Sequence, residues 1–243
     1  MKIEVQLSKE QIQALSLKDS GISGRDRAKG EAIEEICRQV LLLQGATEVY
    51  SYEELDKQVN IGDLKVIKDN KIIHIECKSS HSYNWVNKLA MDLYYFDKYN
   101  NDKEYIQTTT GTNLGWIFYS QSDWIMCYNS DSSRLHIIKN YQEVKKNILE
   151  KVDTYLNKLP NTVIKSKYSN WIYRNNKNII DGGLEGSVKE DTNKIALIVN
   201  LMLSKRTIES YGGQLLSIDI KLILGNKKQL KVWPQRVVLK KNI

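Results

Sequence analysis

The segment Gly62–Ser80, "GDLKVIKDNKIIHIECKSS", constrains this chain more than any other, because it puts two acids and a lysine into runs that otherwise read as buried strands. Leu64–Ile67 and Ile72–Cys77 are rich in β-branched residues, and Asp69-Asn70 lies between them. Both of those residues tolerate the positive φ of a tight hairpin turn. A turn centred there pairs Lys68 with Lys71, and every pair further out has residue numbers summing to 139. Asp63 then stands opposite Glu76. Opposed residues of an antiparallel pair share a face with their Cβ atoms ~5 Å apart. Alternation puts His74, Glu76 and Lys78 on that face and Ile73, Ile75 and Cys77 on the other. Two carboxylates and an ammonium therefore converge.

Close carboxylates repel each other and raise one pKa unless a cation sits between them. Mg²⁺ takes oxygen ligands, commonly one or two carboxylates with substrate phosphate and water. Lys78, beside such an ion, can hold or activate its water. The pattern is that expected for metal-assisted phosphodiester hydrolysis; a cross-strand salt bridge on a solvated sheet is the plainer alternative. A second acid-x-lysine, Glu143-Val144-Lys145 with Asp131 upstream, provides a control. Its surroundings repeat Val144, Ile148, Val152, Tyr155 and Leu159 at helical spacing, and residues two apart on a helix do not share a face. That copy fails geometrically where the first one passes.

Asp63 followed by Glu76-Cys77-Lys78 resembles the PD-(D/E)XK nuclease superfamily, which includes many restriction enzymes and Holliday-junction resolvases. The resemblance covers about residues 25–159. It departs from the family pattern at Gly62, where a proline usually precedes the aspartate. It implies a restriction-endonuclease-like α/β core, a central mixed β-sheet flanked by helices. It also implies Mg²⁺, with Mn²⁺ able to substitute, held by Asp63, Glu76 and the backbone carbonyl of Cys77, with Lys78 catalytic. The family often adds an acid from a preceding helix. In "RAKGEAIEEICRQVLLLQG" the spacing after Gly30 selects Glu34, at the border of the stripe Ile33, Ile36, Cys37, Val40 and Leu41; Glu31 and Glu35 stay open. The activity implied is DNA endonuclease, by a homodimer that cuts two strands; a non-catalytic nucleic-acid-binding module of the same fold is the alternative.

Composition agrees without deciding. The 243 residues carry 36 Lys and Arg against 29 Asp and Glu, net +7, which suits a polyanionic partner. No GxxxxGK[ST] is present, so no nucleotide cofactor is expected. No signal-peptide apolar region and no run near ~18 apolar residues is present, so an intracellular protein without a membrane span is expected. Cys37, Cys77 and Cys127 lie apart in apolar surroundings and read as reduced core residues.

Along the chain, residues 1–24 suggest a strand and a short helix, Glu31–Gln44 a helix stopped by Gly45, and "ATEVYSY" a strand. After the hairpin, residues 79–101 read as helical, with Tyr94 and Tyr95 as packing residues. "NLGWIFYSQSDWIMCYNSDSSRLHIIKN" gives three short strand-like runs, and a helix spans 141–159. Pro160 marks the boundary between a core, residues 1–159, and a strand-containing C-terminal addition, residues 160–243, suited to target recognition or dimerisation. There Lys165, Lys167 and Arg174 interleave with aromatics in a pattern that fits phosphate contacts with stacking or an irregular connector. "LLSIDIKLILGNKKQLKVWPQRVVLKK" reads as a hairpin turning at Gly225-Asn226. Ser79 and His81 follow the Glu-x-Lys strand and are further candidates for backbone contacts. His74 shares the acids' face; it fits a phosphate contact but reads more simply as a surface histidine.

Overall fold

The computed structural model describes residues 2–16, 23–52, 58, 61–80, 88–96, 98–99, 104–106, 116–156, 164–165, 184–191 and 194–225. The chain divides into two interleaved compact units, Met1–His81 with Gln121–Ile137 and Leu216–Ile243, and Ser82–Ser120 with Ile138–Leu215. The candidate site belongs wholly to the first. Pro160 lies outside the described residues, and the C-terminal stretch adds a strand to the first unit's own sheet.

The first unit is α/β. Its elements are β1 (Lys2–Leu7), α1 (Lys9–Ser16), α2 (Ser23–Leu43), β2 (Glu48–Ser51), β3 (Leu64–Lys68) and β4 (Lys71–Ser80). Later chain segments contribute β8 (Trp124–Asn129), β9 (Arg134–Lys139) and β13 (Gln214–Leu224). These strands form one mixed seven-stranded sheet in the order β1-β13-β9-β8-β4-β3-β2. β1 runs parallel to β13 and β4 parallel to β8, whereas β2, β3 and β4 form an antiparallel meander.

Alternation builds the core. Ile3, Val5 and Leu7 of β1, Leu64 and Val66 of β3, Ile75 of β4 and Met126 of β8 are buried on one sheet face. The expected stripe of α2, Ile33, Ile36, Cys37, Val40 and Leu41, is buried with them in a single hydrophobic cluster. Gln39 fixes the helix to β1 by pairing its amide with the backbone of Gln6, accepting from N at 2.9 Å and donating to O at 2.7 Å. Helix α2 begins earlier than expected and contains Gly30, and it ends where Gly45 turns at φ +90°. The hairpin turn is as read: Asp69 and Asn70 have φ of 51° and 59°.

The second unit contains β5 (Lys88–Phe96), β6 (Lys98–Tyr99), β7 (Glu104–Ile106), α3 (Trp116–Tyr119), α4 (Tyr141–Leu156), β10 (Ile164–Lys165), β11 (Leu184–Asp191), β12 (Lys194–Ser204) and α5 (Lys205–Ser210). Two corrections fall here. Residues 88–96, expected to be helical, form β5 and pair antiparallel with β12, so Tyr94 and Tyr95 lie on a strand. The backbone partner is more than a hundred residues away, where no local periodicity can reveal it. The first of the three expected strand runs is instead the short helix α3. Beyond Gly225, the second arm of the expected C-terminal hairpin lies outside the described residues; its first arm is β13.

Two glycines give opposite expectations. A Cβ on Gly62, at φ +134°, would sit 2.6 Å from Ser122 Oγ and 2.7 Å from the Ile75 carbonyl oxygen, whereas one on Gly30 would meet nothing within 4 Å. Gly62→Ala should destabilise by about 2–4 kcal/mol, combining backbone strain with overpacking. Gly30→Ala, inside α2, should stabilise by about 0.5–1 kcal/mol. Urea denaturation of both variants checks the pair, and a tolerated Gly62→Ala would contradict the local geometry.

Candidate metal centre

The hairpin ladder holds the expected register from Lys68↔Lys71 to Leu64↔Ile75, one step short of Asp63. At that step Asp63 leaves the strand, and its groups are shared among three neighbours. Its N–H donates to the Ile75 carbonyl at 2.8 Å, and its carbonyl accepts from Tyr52 N at 3.0 Å. Its carboxylate Oδ2 accepts from Cys77 N at 2.7 Å. The side chain thus replaces the backbone acceptor that the ended strand no longer offers to β4. Gly62 makes this possible. Its φ of +134° is closed to proline, whose ring holds φ near −65°, which accounts for the missing proline before the aspartate. Ser122 seals the same corner by donating to the Ile61 carbonyl at 2.8 Å.

Glu76 follows on β4 and is only 6% exposed. Its Oε1 is ion-paired with Lys78 Nζ, the neighbour two residues along the same strand. Its Oε2 is buried and accepts no hydrogen bond among the described residues. Burial pushes the Glu76 carboxyl up to about 7, against the pull of Lys78 and with a further push from Asp63. Burial also raises Asp63, opposed by Lys78 and by the Cys77 N–H. A carboxylate oxygen with neither solvent nor a donor costs at least ~1–3 kcal/mol, more if charged. Such a cost persists where another ligand is meant to repay it.

Placement distinguishes the three acids of α2. Glu31 is exposed and ion-pairs with Arg27, while Glu35 is held by Arg38 and by Gln39. Glu34 alone of the three faces the hairpin: burial, then the Asp63 charge, push its carboxyl up to about 7. Ser51 at the end of β2 donates to Glu34 Oε2 at 3.3 Å. Arg38 organises the contact by donating to Ser51 Oγ at 2.7 Å and to the Val49 carbonyl at 2.9 Å. Neither Ser51 nor Arg38 could be singled out from the sequence, because they meet Glu34 only once α2 has docked on β2.

Asp63, Glu76, Lys78 and Glu34 are therefore brought together by α2, β4 and the approach to β3. Among the described residues no group of three or more His, Cys, Asp or Glu side chains is placed so that together they could hold a metal ion. Mg²⁺ does not need one, since it keeps several waters and commonly takes only one or two carboxylates. The orphaned Glu76 Oε2 and the crowding of three acids fit a hard cation bound in that open manner. The thiols of Cys77 and Cys127 have no such role. Cys37 lies against Cys77, burial raises both Cys77 and Cys127, the latter to about 12, and neither is a thiolate at neutral pH.

Other candidates separate. Ser79 is exposed near the end of β4, whereas His81, Lys167 and Arg174 lie outside the described residues, and only the backbone of Lys165 is described, in β10. The second acid-x-lysine lies on α4, as expected. Lys145 donates to the carbonyls of Phe118 at 3.0 Å and Ser120 at 2.8 Å, closing the end of α3, while Glu143 is exposed. No helix among the described residues is long and apolar enough to cross a membrane. No protein-family model, no curated protein and no solved structure matches this chain.

The raised carboxyls fix a pH dependence. Glu34 and Glu76 lose their protons near 4.5 in the unfolded chain and near 7 in the metal-free fold. The folded state binds more protons between those values, so stability is lost as pH rises from 4.5 to 7, by up to about 3 kcal/mol per carboxyl. Thermal unfolding in chelator should show a midpoint that falls across this window, and Glu34→Gln with Glu76→Gln should flatten the fall. A wild-type midpoint that rises or stays level there would contradict the burial of these acids.

Proposed function

We propose that this chain is a metal-dependent DNA endonuclease with a restriction-endonuclease-like core of the PD-(D/E)XK kind. The observation that carries this reading is the buried, unsatisfied Oε2 of Glu76 beside two further acids and a lysine. A fold that leaves a carboxylate oxygen dry, without a donor and next to like charges, has the electrostatics of a cation site rather than of a surface salt bridge.

Asp63, Glu76 and the Cys77 carbonyl would hold Mg²⁺, or Mn²⁺ in its place, with Glu34 as the further acid. When bound, the ion supplies Lewis-acid polarisation of the phosphodiester and a nucleophile at neutral pH. The residues perform the rest. The Cys77 N–H fixes the Asp63 carboxylate, so one acid is oriented by backbone rather than by a mobile side chain. Lys78, now on Glu76 Oε1, orients the attacking water and offsets negative charge as it builds on the phosphoryl oxygens. Ser51 and Arg38 hold Glu34 towards Asp63. Lys165, Lys167, Arg174, Ser79 and His81 are proposed to contact the DNA backbone, and a homodimer would bring two such centres to the two strands.

Cleavage of supercoiled plasmid, a four-way junction, single-stranded DNA and RNA in Mg²⁺ and Mn²⁺ tests the reading and names the substrate. Asp63→Asn, Glu76→Gln and Lys78→Ala should each lower the rate by about 10²-fold or more. Glu143→Gln should leave it unchanged. Lys145→Ala should also leave it unchanged while costing about 1–2 kcal/mol of stability, since it strands the carbonyls of α3. Activity that survives excess chelator, or that depends on the α4 pair and not on the hairpin, would remove the proposal.

A further inference from the structure

Beside Glu76, the same sheet face carries side chains of different character. Lys65 stands opposite His74 across β3–β4 and opposite Tyr50 across β2–β3. His74 precedes Glu76 by two residues on β4, so strand alternation puts both on one face, about 6–7 Å apart along the strand. Leu64 and Val66, the neighbours of Lys65, are buried in the core, which directs the lysine to the outer face. The Lys65 ammonium forms no ion pair or hydrogen bond with a described residue, in contrast to Lys78, Lys68 and Lys145.

His74 is fixed from three sides. Its N–H donates to Asp123 Oδ2 at 2.8 Å, and its carbonyl accepts from Asp123 N at 2.8 Å. Its ring Nδ1 meets the Tyr52 hydroxyl at 2.7 Å, and the two rings stack with centroids 6.0 Å apart. Tyr52 follows β2 and His74 lies on β4, so the phenol spans the outer face above β3. With the phenol as donor, Nδ1 accepts and the proton of the neutral ring sits on Nε2, which makes no hydrogen bond to a described residue. Asp123 lies beside this row, and its Oδ2 is occupied by the His74 backbone.

We propose that Lys65 and His74 form an anion subsite for the phosphate next to the one held at the carboxylates, with Tyr52 and Asp123 as positioning residues. The proposal rests on the endonuclease reading and adds to it where the DNA backbone runs. A polyanion laid over Glu34, Asp63 and Glu76 meets three acids against the single ammonium of Lys78, and a cation there would answer one phosphate. The adjacent row supplies the opposite sign and two outward donors at one further step along the strand.

The test is binding of a short mixed-sequence DNA duplex in chelator, followed by fluorescence anisotropy over a salt series. Lys65→Gln should weaken binding about tenfold at low salt and make the slope of log K against log salt shallower by about 0.9, the signature of one lost phosphate contact. Lys65→Arg should restore the slope. His74→Gln should weaken binding about threefold, the loss of one donor to phosphate. Neither Lys65 change should move the thermal midpoint, which separates a contact from a structural role. An unchanged slope in Lys65→Gln overturns the subsite, and if wild type still cleaves DNA the endonuclease reading survives it. A Lys65-dependent slope in a protein that cleaves nothing in Mg²⁺ or Mn²⁺ keeps the subsite and removes the endonuclease. Wild type that does not bind the duplex overturns both.

Discussion

The hydrogen bond from Cys77 N to the Asp63 carboxylate, 2.7 Å long, is the contact on which the rest of the first unit's site depends. β3 starts at Leu64, and one residue earlier the chain must turn away towards Gly62 while β4 continues to Ser80. The ladder would leave the Cys77 N–H without an acceptor in a buried position. A carboxylate side chain supplies it, and supplies charge as well, so one group both ends the pairing of β3 and opens the acidic site. Gly62 at φ +134° and the Ser122 hydroxyl on the Ile61 carbonyl hold that bend in place. Replacing the acid with an apolar residue would therefore damage the bend and the site together, whereas an amide separates the two.

The energetic consequence is local frustration. Three carboxyls, Glu34, Asp63 and Glu76, are all raised, each chiefly by burial. Among the described residues, Lys78 opposes this at Glu76 and Asp63, and Arg38 opposes it at Glu34. The apolar cluster of α2 against the sheet tolerates this because it is anchored elsewhere, through buried Ile36, Val40, Leu64 and Ile75 and through the Gln39–Gln6 pairing. Local rules broken inside an otherwise consistent core are where a functional site is to be sought. On the sheet's outer face Glu76 is followed by His74, with Lys65 opposite it.

How much of this was legible in the sequence follows from how far apart the cooperating residues lie. The hairpin register was readable because Asp69-Asn70 dictates its own turn and each further pair follows by counting. The α2 stripe followed from helical periodicity and the strand β13 from alternation. β5 and β12 were not readable, since each gains its hydrogen bonds from the other across a long separation. Within the site, Glu34 could be narrowed only to one of three helical acids, because the choice is made by where α2 meets β2. Asp123, Tyr52, Ser51 and Arg38 carried no local signal at all; they matter through contacts that exist only in the assembled sheet.

We propose that the acids around Glu76 form a site for a divalent cation. Calorimetric titration of the metal-free protein with Mn²⁺ near pH 6.5, in buffers of different ionisation enthalpy, tests it without needing a substrate. Glu34 and Glu76, with pKa values of about 7, are largely protonated there. Binding should be accompanied by release of between one and two protons per ion, since ligands must deprotonate to coordinate. Glu76→Gln should lose both the binding and the proton release. Absence of binding, or binding that releases no proton and is indifferent to Glu76, would contradict the proposal.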